Sequence, residues 1–355
     1  MVEFQDSDDE FVALSYMYTQ LLRERRMNKK RKYTRKRFWV KDWLLKRPTL
    51  GWCETILKEL SEGRLYDHEK DQKQFLRIDE GMFHYVLERV APIIKKEDTN
   101  YRKAITPFER LAITLRYLGS GSTTDIQFGF RVSRSTLCYL VQNTLEAIVH
   151  CFIDLIKLPQ TSDEWLAVSE RFLRRWNMPH VLSSIDGKHV AIKKPPKGHS
   201  SYFNYKRFHS IVLLACCDAD LRFTYIHAGT CGRYSDSGIL PYTDLYRLLI
   251  QEDNPLNIPG AEPFAGDNVE MPYYFIGDSG FSLKSYMMVP YSRRTVTDMS
   301  LDARVFNYRH SRSRRTIECA FGVLAQRYVF FFCLSCQLRP SLSSSSFPSS
   351  FEVLN

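Results

Sequence analysis

Val181-Leu182-Ser183-Ser184-Ile185-Asp186-Gly187-Lys188-His189-Val190-Ala191-Ile192 is the stretch on which the fold turns. Its first half is a short apolar run that predicts a buried β-strand ending in a carboxylate. Gly187 then leaves room for backbone or ligand to come close, and a second apolar alternation follows. A carboxylate closing a buried strand is costly unless something pairs with it. Two later segments supply candidates. Pro272-Tyr273-Tyr274-Phe275-Ile276-Gly277-Asp278-Ser279-Gly280-Phe281 repeats the pattern of apolar run, Asp and Gly. In Arg315-Thr316-Ile317-Glu318-Cys319-Ala320-Phe321-Gly322-Val323-Leu324 the apolar residues Ile317, Ala320, Phe321 and Leu324, with Tyr328 beyond, recur at helical spacing, and Glu318 rides on that helix.

Brought together, Asp186, Asp278 and Glu318 would form one acidic cluster. Two ionised carboxylates about 4 Å apart repel by roughly 4 kcal/mol at an effective dielectric of about 20, so three of them require cations between them. An all-oxygen donor set suits hard divalent ions, Mg²⁺ or Mn²⁺. In a basic chain such a site points to phosphodiester chemistry, one ion activating the attacking water and another stabilising the leaving oxygen. Taken singly, each acid reads as an unrelated loop or surface residue. The order favours a site: two strand-end aspartates, then a helix glutamate roughly 40 positions after the second.

The chain has 355 residues, enough for a large core and two domains. Its 44% apolar content, with 23 Phe and 20 Tyr, marks a folded protein. A net charge of +10 points to an anionic partner, and charge alone does not choose between nucleic acid and membrane surface. The longest apolar runs, residues 211–217 and 328–336, fall short of the ~20 residues a spanning helix needs, so no membrane is expected. Glu3, Asp6, Asp8, Asp9 and Glu10 make an N-terminus unlike a signal peptide, and a reducing compartment is the default. The nine scattered cysteines are accordingly expected as buried free thiols. Cys333 and Cys336 have the spacing of a zinc knuckle, but no second pair follows them.

Along the chain, residues 1–45 read as an acidic and then basic arm, with little periodic packing in the first 20 positions and a crowd of Arg and Lys over residues 23–37. Residues 46–158 read as a helical domain. Ile56, Leu57 and Leu60 mark one helix, and Phe83, Val86, Leu87, Val90, Ile93 and Ile94 mark a second. Thr106-Pro107 caps a third through Leu111, Leu115 and Leu118, which stops at Gly119-Ser120-Gly121. A short helix over residues 124–130 and a Ser133-capped helix through Leu137, Leu140, Val141, Leu145 and Ile148 complete a helix-turn-helix layout. Its last helix would offer Arg134, Ser135 and Thr136 to DNA.

Residues 159–335 read as the second domain, opened by a helix with Trp165 and Phe172. After the Asp186 strand comes a basic loop, Lys193-Lys194-Pro195-Pro196-Lys197, then Tyr202-Phe203-Asn204-Tyr205-Lys206-Arg207. Aromatics interleaved with cations suit a nucleic-acid backbone, although an ordinary surface loop has the same composition. A strand pair turns at Asp218-Ala219-Asp220, and Ser235-Asp236-Ser237 opens a helix carrying Leu245, Leu248 and Leu249. Asp236 reads either as that helix's N-cap or as a further acid leaning towards the metal. Residues 252–272 read as an insertion loop, and residues 336–355 as a Ser-rich, disordered tail. The element order is that of an α/β, ribonuclease-H-like mixed sheet with flanking helices, preceded by the helical domain. Its first and fourth strands lie side by side, so that both aspartates reach one edge and Glu318 meets them from the covering helix.

Several motifs resemble one family. Phe38-Trp39-Val40, Trp176-Asn177-Met178-Pro179, Ile185-Asp186-Gly187-Lys188-His189-Val190, Asn204-Tyr205-Lys206, His209-Ser210-Ile211-Val212, Gly232-Arg233-Tyr234-Ser235-Asp236-Ser237, Gly277-Asp278, and Asn307-Tyr308-Arg309 through Arg315-Thr316-Ile317-Glu318-Cys319-Ala320-Phe321-Gly322 are similar to those of PIF/Harbinger-type DDE transposases and their domesticated nuclease relatives. The resemblance spans roughly residues 38–330. It implies that Asp186, Asp278 and Glu318 hold the divalent metal, with Asp236 as an additional acid, in a nuclease that cleaves DNA and can join it. It further implies a helix-turn-helix region, a nuclear setting with the cytoplasm as a secondary one, and a separately encoded Myb-like partner. Self-association is compatible with it. Arg134, Lys193, Lys194, Lys206, Arg314 and Arg315 are the candidates for DNA contacts.

After Tyr328 the chain departs from the family, continuing as Val329-Phe330-Phe331-Phe332-Cys333 and then into serines where the family has more helix. That departure supports a rival of another class, a DNA-binding or scaffold protein of transposon descent that no longer cuts. A second rival, a chymotrypsin-like protease, is drawn from Gly277-Asp278-Ser279-Gly280. It fails because Phe281-Ser282 follows and the first half of the chain is helical rather than β.

Overall fold

The computed structural model describes residues 40–328 apart from 63–67, 101, 193, 196–199, 265, 267 and 293–298, together with positions 12–13, 15–17 and 19–20. The basic run of residues 23–37, Phe38-Trp39, Lys193, Cys333 and Cys336, and the Ser-rich tail lie outside the described residues.

Short helical turns at Asp42–Leu45, Arg47–Leu50, Cys53–Leu57 and Lys58–Ser61 lead into α1 (His68–Leu76), α2 (Glu80–Ile94), α3 (Pro107–Ser120), α4 (Thr123–Gly129) and α5 (Arg134–Phe152). Their ends lie where side chains satisfy the free backbone groups. The Thr106 hydroxyl accepts from the Glu109 amide, the Glu109 carboxylate accepts from the Thr106 amide, and Pro107 fills the first helical position. Gly121 ends α3 at φ +68°, and the Ser133 hydroxyl accepts from the Thr136 amide to start α5. Phe83, Val86 and Val90 of α2, Leu111 and Leu115 of α3, and Leu140 and Leu145 of α5 share one buried cluster.

Four expectations need correction here. The described positions between 12 and 20 are helical, and Val12, Ala13 and Met17 are buried in that same cluster. The acids that hid their spacing all precede residue 11. Ile93 faces solvent at 49% exposure, because α2 turns that position away from α3 and α5. Among the described residues Arg134–Leu155 is long and apolar enough to cross a membrane although no unbroken apolar run reaches that length, and Leu137, Leu140, Val141, Leu145 and Ile148 of that span lie in the core. Of the seven described cysteines, expected to be buried, Cys138 and Cys319 are exposed and only Cys216 and Cys217 are fully buried.

The second half begins with α6 (Ser162–Trp176), whose Trp165 and Phe172 are wholly buried, the Trp165 indole donating to the Leu256 carbonyl at 2.7 Å. Then come β1 (Val181–Ala191), β2 (Ser210–Cys217) and β3 (Phe223–Cys231), the short helices α7 (Asp236–Ile239) and α8 (Asp244–Ile250), a small ladder of β4 (Glu262–Pro263) on β5 (Glu270–Met271), then β6 (Tyr274–Ile276), β7 (Met287–Met288) and α9 (Leu301–Arg327). The main sheet has the order β3-β2-β1-β6-β7, with β1, β2 and β3 antiparallel and β6 parallel to β1. It is a mixed five-stranded sheet flanked by helices. Alternation along the fully buried β2 separates its two faces. Ile211, Leu213 and Ala215 pack with Ile317, Phe321 and Leu324 of α9, in a cluster continuous with the helical half. Val212, Leu214 and Cys216 pack with Trp165, Ile239 and Leu245 on the other side.

Candidate active site

β1 is one continuous strand of 11 residues, which corrects the expectation of a strand stopped by Asp186 and a second one after Gly187. β2 holds it throughout its second half, with Asp186 opposite Ala215, Gly187 opposite Leu214 and His189 opposite Val212. On its other edge β6 pairs only from Val181↔Tyr274 to Ser184↔Ile276 and then ends. Asp186 therefore lies mid-strand at the point where one edge of β1 opens, which is how a carboxylate is accommodated there. Because β1 and β6 run parallel, Asp186 and Asp278 each come two positions after the last pair, Ser184↔Ile276, and the charge of Asp278 is felt at Asp186. Asp278 turns the chain out of the sheet, its Oδ1 accepting from the Gly280 amide at 2.9 Å.

Ser184 and Asp186 share one face of β1. The Ser184 hydroxyl donates to the Arg314 carbonyl at 3.2 Å, so that face is the one covered by α9. Arg314 Nη1 stands 3.7 Å from Asp186 Oδ2, while Nη2 donates to Glu318 Oε1 one turn further along α9. One guanidinium thus spans Asp186 and Glu318 and places both acids on the same side of the sheet.

Gly187 belongs to the opposite face. A Cβ there would fall 1.9 Å from Asp236 Oδ1 and 2.2 Å from its Cγ, so the space the glycine leaves is filled by a carboxylate of the same chain. Ser235, rather than Asp236, caps the short helix α7, its hydroxyl accepting from the Gly238 amide at 3.2 Å. That leaves Asp236 as the first helical residue, with its side chain turned to β1. The helix expected after it is also broken into α7 and α8, the first only four residues long.

Burial pushes the Asp186 carboxyl up to about 6, with Asp236 and then Asp278 adding to the rise and Arg314 and the Gly187 amide opposing it. Burial likewise pushes Asp236 up to about 6, helped by Asp278 and opposed by Lys206 and the Gly187 amide. Asp236 Oδ1 is buried without a hydrogen-bond partner. Among the described residues, no three His, Cys, Asp or Glu side chains are grouped closely enough to hold a metal ion as they stand. The topology explains this, since Asp186 and Glu318 approach the open edge from the α9 face and Asp236 from the other. The donor set nevertheless fits a hard divalent ion: all its atoms are oxygens, one of them is orphaned, and Asp278 raises the carboxyls of both Asp186 and Asp236.

Of the candidate DNA contacts, Lys194, Lys206 and Arg315 are exposed, as is Arg134 at the first position of α5. Arg314 is half-buried and engaged with the acids. Sequence reasoning missed that internal role, and it missed Ser184, whose signal was the hydroxyl pair Ser183-Ser184 inside the buried run before Asp186. It found that something comes close at Gly187 without identifying it as Asp236.

Residues 185–348 match the family described as DDE superfamily endonuclease, a span that includes Asp186, Asp236, Asp278 and Glu318. "Protein ALP1-like" of Arabidopsis thaliana is 26% identical over 275 residues, covering 75% of this chain and 66% of its own length. "Putative nuclease HARBI1" of Homo sapiens is 25% identical over 246 residues, 69% of this chain and 64% of its own. The Bos taurus protein of the same name is also 25% identical over 246 residues, with the same two coverages of 69% and 64%. The chain thus spans just under two thirds of the curated relatives it matches. No solved structure matches it. The resemblance drawn from the motifs is borne out by these matches.

Proposed function

We propose, from the premise that this chain carries a DDE superfamily endonuclease domain, that it is a divalent-metal-dependent DNA endonuclease of Harbinger-transposase descent, built on a ribonuclease-H-like sheet. The observation that carries the reading is the parallel register of β1 and β6, which ends at Ser184↔Ile276 and so brings both Asp186 and Asp278 two positions beyond it, where the edge of β1 opens. Asp236 and Glu318 come to that edge from its two faces.

Asp186, Asp236, Asp278 and Glu318 are the residues that would hold Mg²⁺ or Mn²⁺. When bound, such ions activate a water or a DNA 3′ hydroxyl and stabilise the leaving oxygen of the phosphodiester. The remaining work belongs to the chain itself. Arg314 keeps Asp186 and Glu318 within reach of one another. The exposed Lys194, Lys206 and Arg315 are cations available to the DNA backbone. Arg134, at the exposed start of α5, would serve a helix-turn-helix contact. A nuclear setting and a Myb-like partner that selects the DNA site belong to the same proposal.

The test is nicking of supercoiled DNA by the chain with its partner, in Mn²⁺ and in EDTA. Asp186→Ala is expected to lower Mn²⁺-dependent nicking at least about a hundredfold while duplex affinity changes less than about threefold. Equal nicking by that variant rejects the mechanism. Absence of nicking by the intact pair favours a descendant that binds DNA without cutting.

A further inference from the structure

The acidic edge is bordered by aromatic side chains that the core does not use. Tyr205 is 77% exposed and Tyr234 is 48% exposed. Tyr234 precedes Asp236 by two positions. Tyr205 reaches back to β1, its ring 5.5 Å from that of His189 at an angle of 72°. His189 shares its face of β1 with Gly187, beside which the Asp236 carboxylate lies, and same-face neighbours along a strand are about 7 Å apart. The Tyr205 ring therefore borders the Asp236 side of the acidic edge, with the Lys206 ammonium 5.4 Å from its centroid.

An exposed side chain at a turn is ordinarily loose, but this turn is fastened on every side. Asn204, only 3% exposed, accepts from the Phe208 amide at 3.1 Å through its Oδ1 and donates to the Ser210 hydroxyl at 2.9 Å through its Nδ2. Arg207 completes the turn at φ +64°. The Ser210 hydroxyl is also 2.9 Å from His189 Nδ1. Backbone bonds from Gly232 to Ser210 (2.9 Å) and from Arg233 to Ser201 (3.1 Å) tie this loop to the one that carries Tyr234 and Asp236. The result is a flat apolar face held in water beside a cation and next to the acids. Rigidity of that kind lowers the entropy cost of binding a ligand and does nothing for the core.

We propose that Tyr205, with Lys206 beside it, is a stacking platform for an unpaired DNA base next to the phosphodiester held at the acids. The inference deepens the DNA-cutting reading and rests on it. In a paired duplex the π-faces of the bases are covered by their neighbours, so only a nucleotide outside the stack gains from the Tyr205 ring while its phosphate meets Lys206. The platform makes the chain selective for DNA that is frayed, tailed or bulged beside the cut.

The experiment measures binding of the full chain, in EDTA, to a labelled duplex and to the same duplex with a short single-stranded 3′ tail. The tailed DNA is expected to bind roughly tenfold more tightly. Tyr205→Ala should remove most of that preference, and Tyr205→Trp should keep it; circular dichroism checks that both variants fold. Equal affinity for the two DNAs, or an undiminished preference in Tyr205→Ala, overturns the proposal. Asp186→Ala is expected to keep the preference, which separates the two readings. A Tyr205-dependent preference without nicking leaves the platform standing and sinks the nuclease, and nicking without preference does the reverse.

Discussion

The two faces of β1 surround a carboxylate with different partners. On the α9 face, Asp186 meets a cation of the chain's own, Arg314, which also takes Glu318. On the other face, Asp236 fills the hollow over Gly187 with one oxygen buried and without a hydrogen-bond partner, and Lys206 and the Gly187 amide are what ease its charge. The supports differ as well. The α9 face is backed by a helix of 27 residues, pinned to the sheet by Ser184 donating to Arg314 and by His310 reaching the Met288 carbonyl at 3.2 Å. Asp236 stands on a helix of four residues. Both carboxyls are pushed up to about 6, so Arg314 does not cancel the cost of Asp186; what sets Asp236 apart is a buried oxygen without a hydrogen-bond partner, which a cation from outside can take. On that argument an incoming divalent ion gains most at the Asp236 face.

The comparison breaks first at Gly187. Gly187→Ala puts a methyl group 1.9 Å from Asp236 Oδ1, so the carboxylate must swing out of the hollow. Because the clash is with the end of a side chain, the expected cost in stability is small, below about 1 kcal/mol. The expected cost in function is large. Mn²⁺-dependent nicking should fall about a hundredfold, and the rise in melting temperature on adding Mn²⁺ should largely vanish. An Ala variant that still binds Mn²⁺ like the parent would mean that Asp236 is a bystander.

Asp236→Asn sharpens the contrast without moving atoms. The native carboxyl is raised from 3.8 to about 6, so the folded chain holds this proton more tightly than the unfolded chain does. The stability it contributes is fully present below the unfolded value and is lost as pH rises through about 6. At pH 7 in EDTA the ionised group therefore works against folding, and Asp236→Asn should stabilise the chain by roughly 1–2 kcal/mol. The gain should disappear as the pH falls towards about 4, where the native group is itself neutral. Addition of Mn²⁺ should stabilise the parent and leave the Asn variant behind. Thermal melts across this pH range in both conditions decide it, and an Asn variant no more stable than the parent at neutral pH would undo the asymmetry of the two faces.

How much of this was legible beforehand depends on whether the information was local. The caps at Thr106 and Ser133, the helical spacing through Phe83 and through Ile317, and the apolar run of β2 are short-range signals, and they led to the right elements. The pairing of the first and fourth strands of the main sheet followed from their order, and it puts Asp186 and Asp278 each two positions past the last pair, Ser184↔Ile276. What stayed hidden depends on neighbours remote in sequence. Asp186 looked like a strand end because the sequence does not show β2 holding the backbone past Gly187. Asp236 read as a cap or as a further acid near the metal, and the sequence did not choose because Ser235 does the capping one position earlier. Arg314 read as a candidate DNA contact, and only the packing of α9 turns it inward to Asp186. Val12, Ala13 and Met17 were obscured by the acids before them.

Ser184→Ala is the mildest test and addresses the α9 face alone. The hydroxyl is fully buried and donates to the Arg314 carbonyl at 3.2 Å, one of the bonds that fix where Arg314, and with it Glu318, stands above β1. Its loss leaves a carbonyl inside a helix, so the expected destabilisation is about 1 kcal/mol or less. If the two faces are independent, nicking should fall only a few-fold, in proportion to a small shift of Glu318, while the Mn²⁺-dependent gain in melting temperature stays near that of the parent. A collapse of that gain as large as the one expected for Gly187→Ala would show that the acids on the two faces share one ion. Arg314 would then be a competitor of that ion for Asp186 and Glu318, and no longer a counter-ion confined to its own side of the strand.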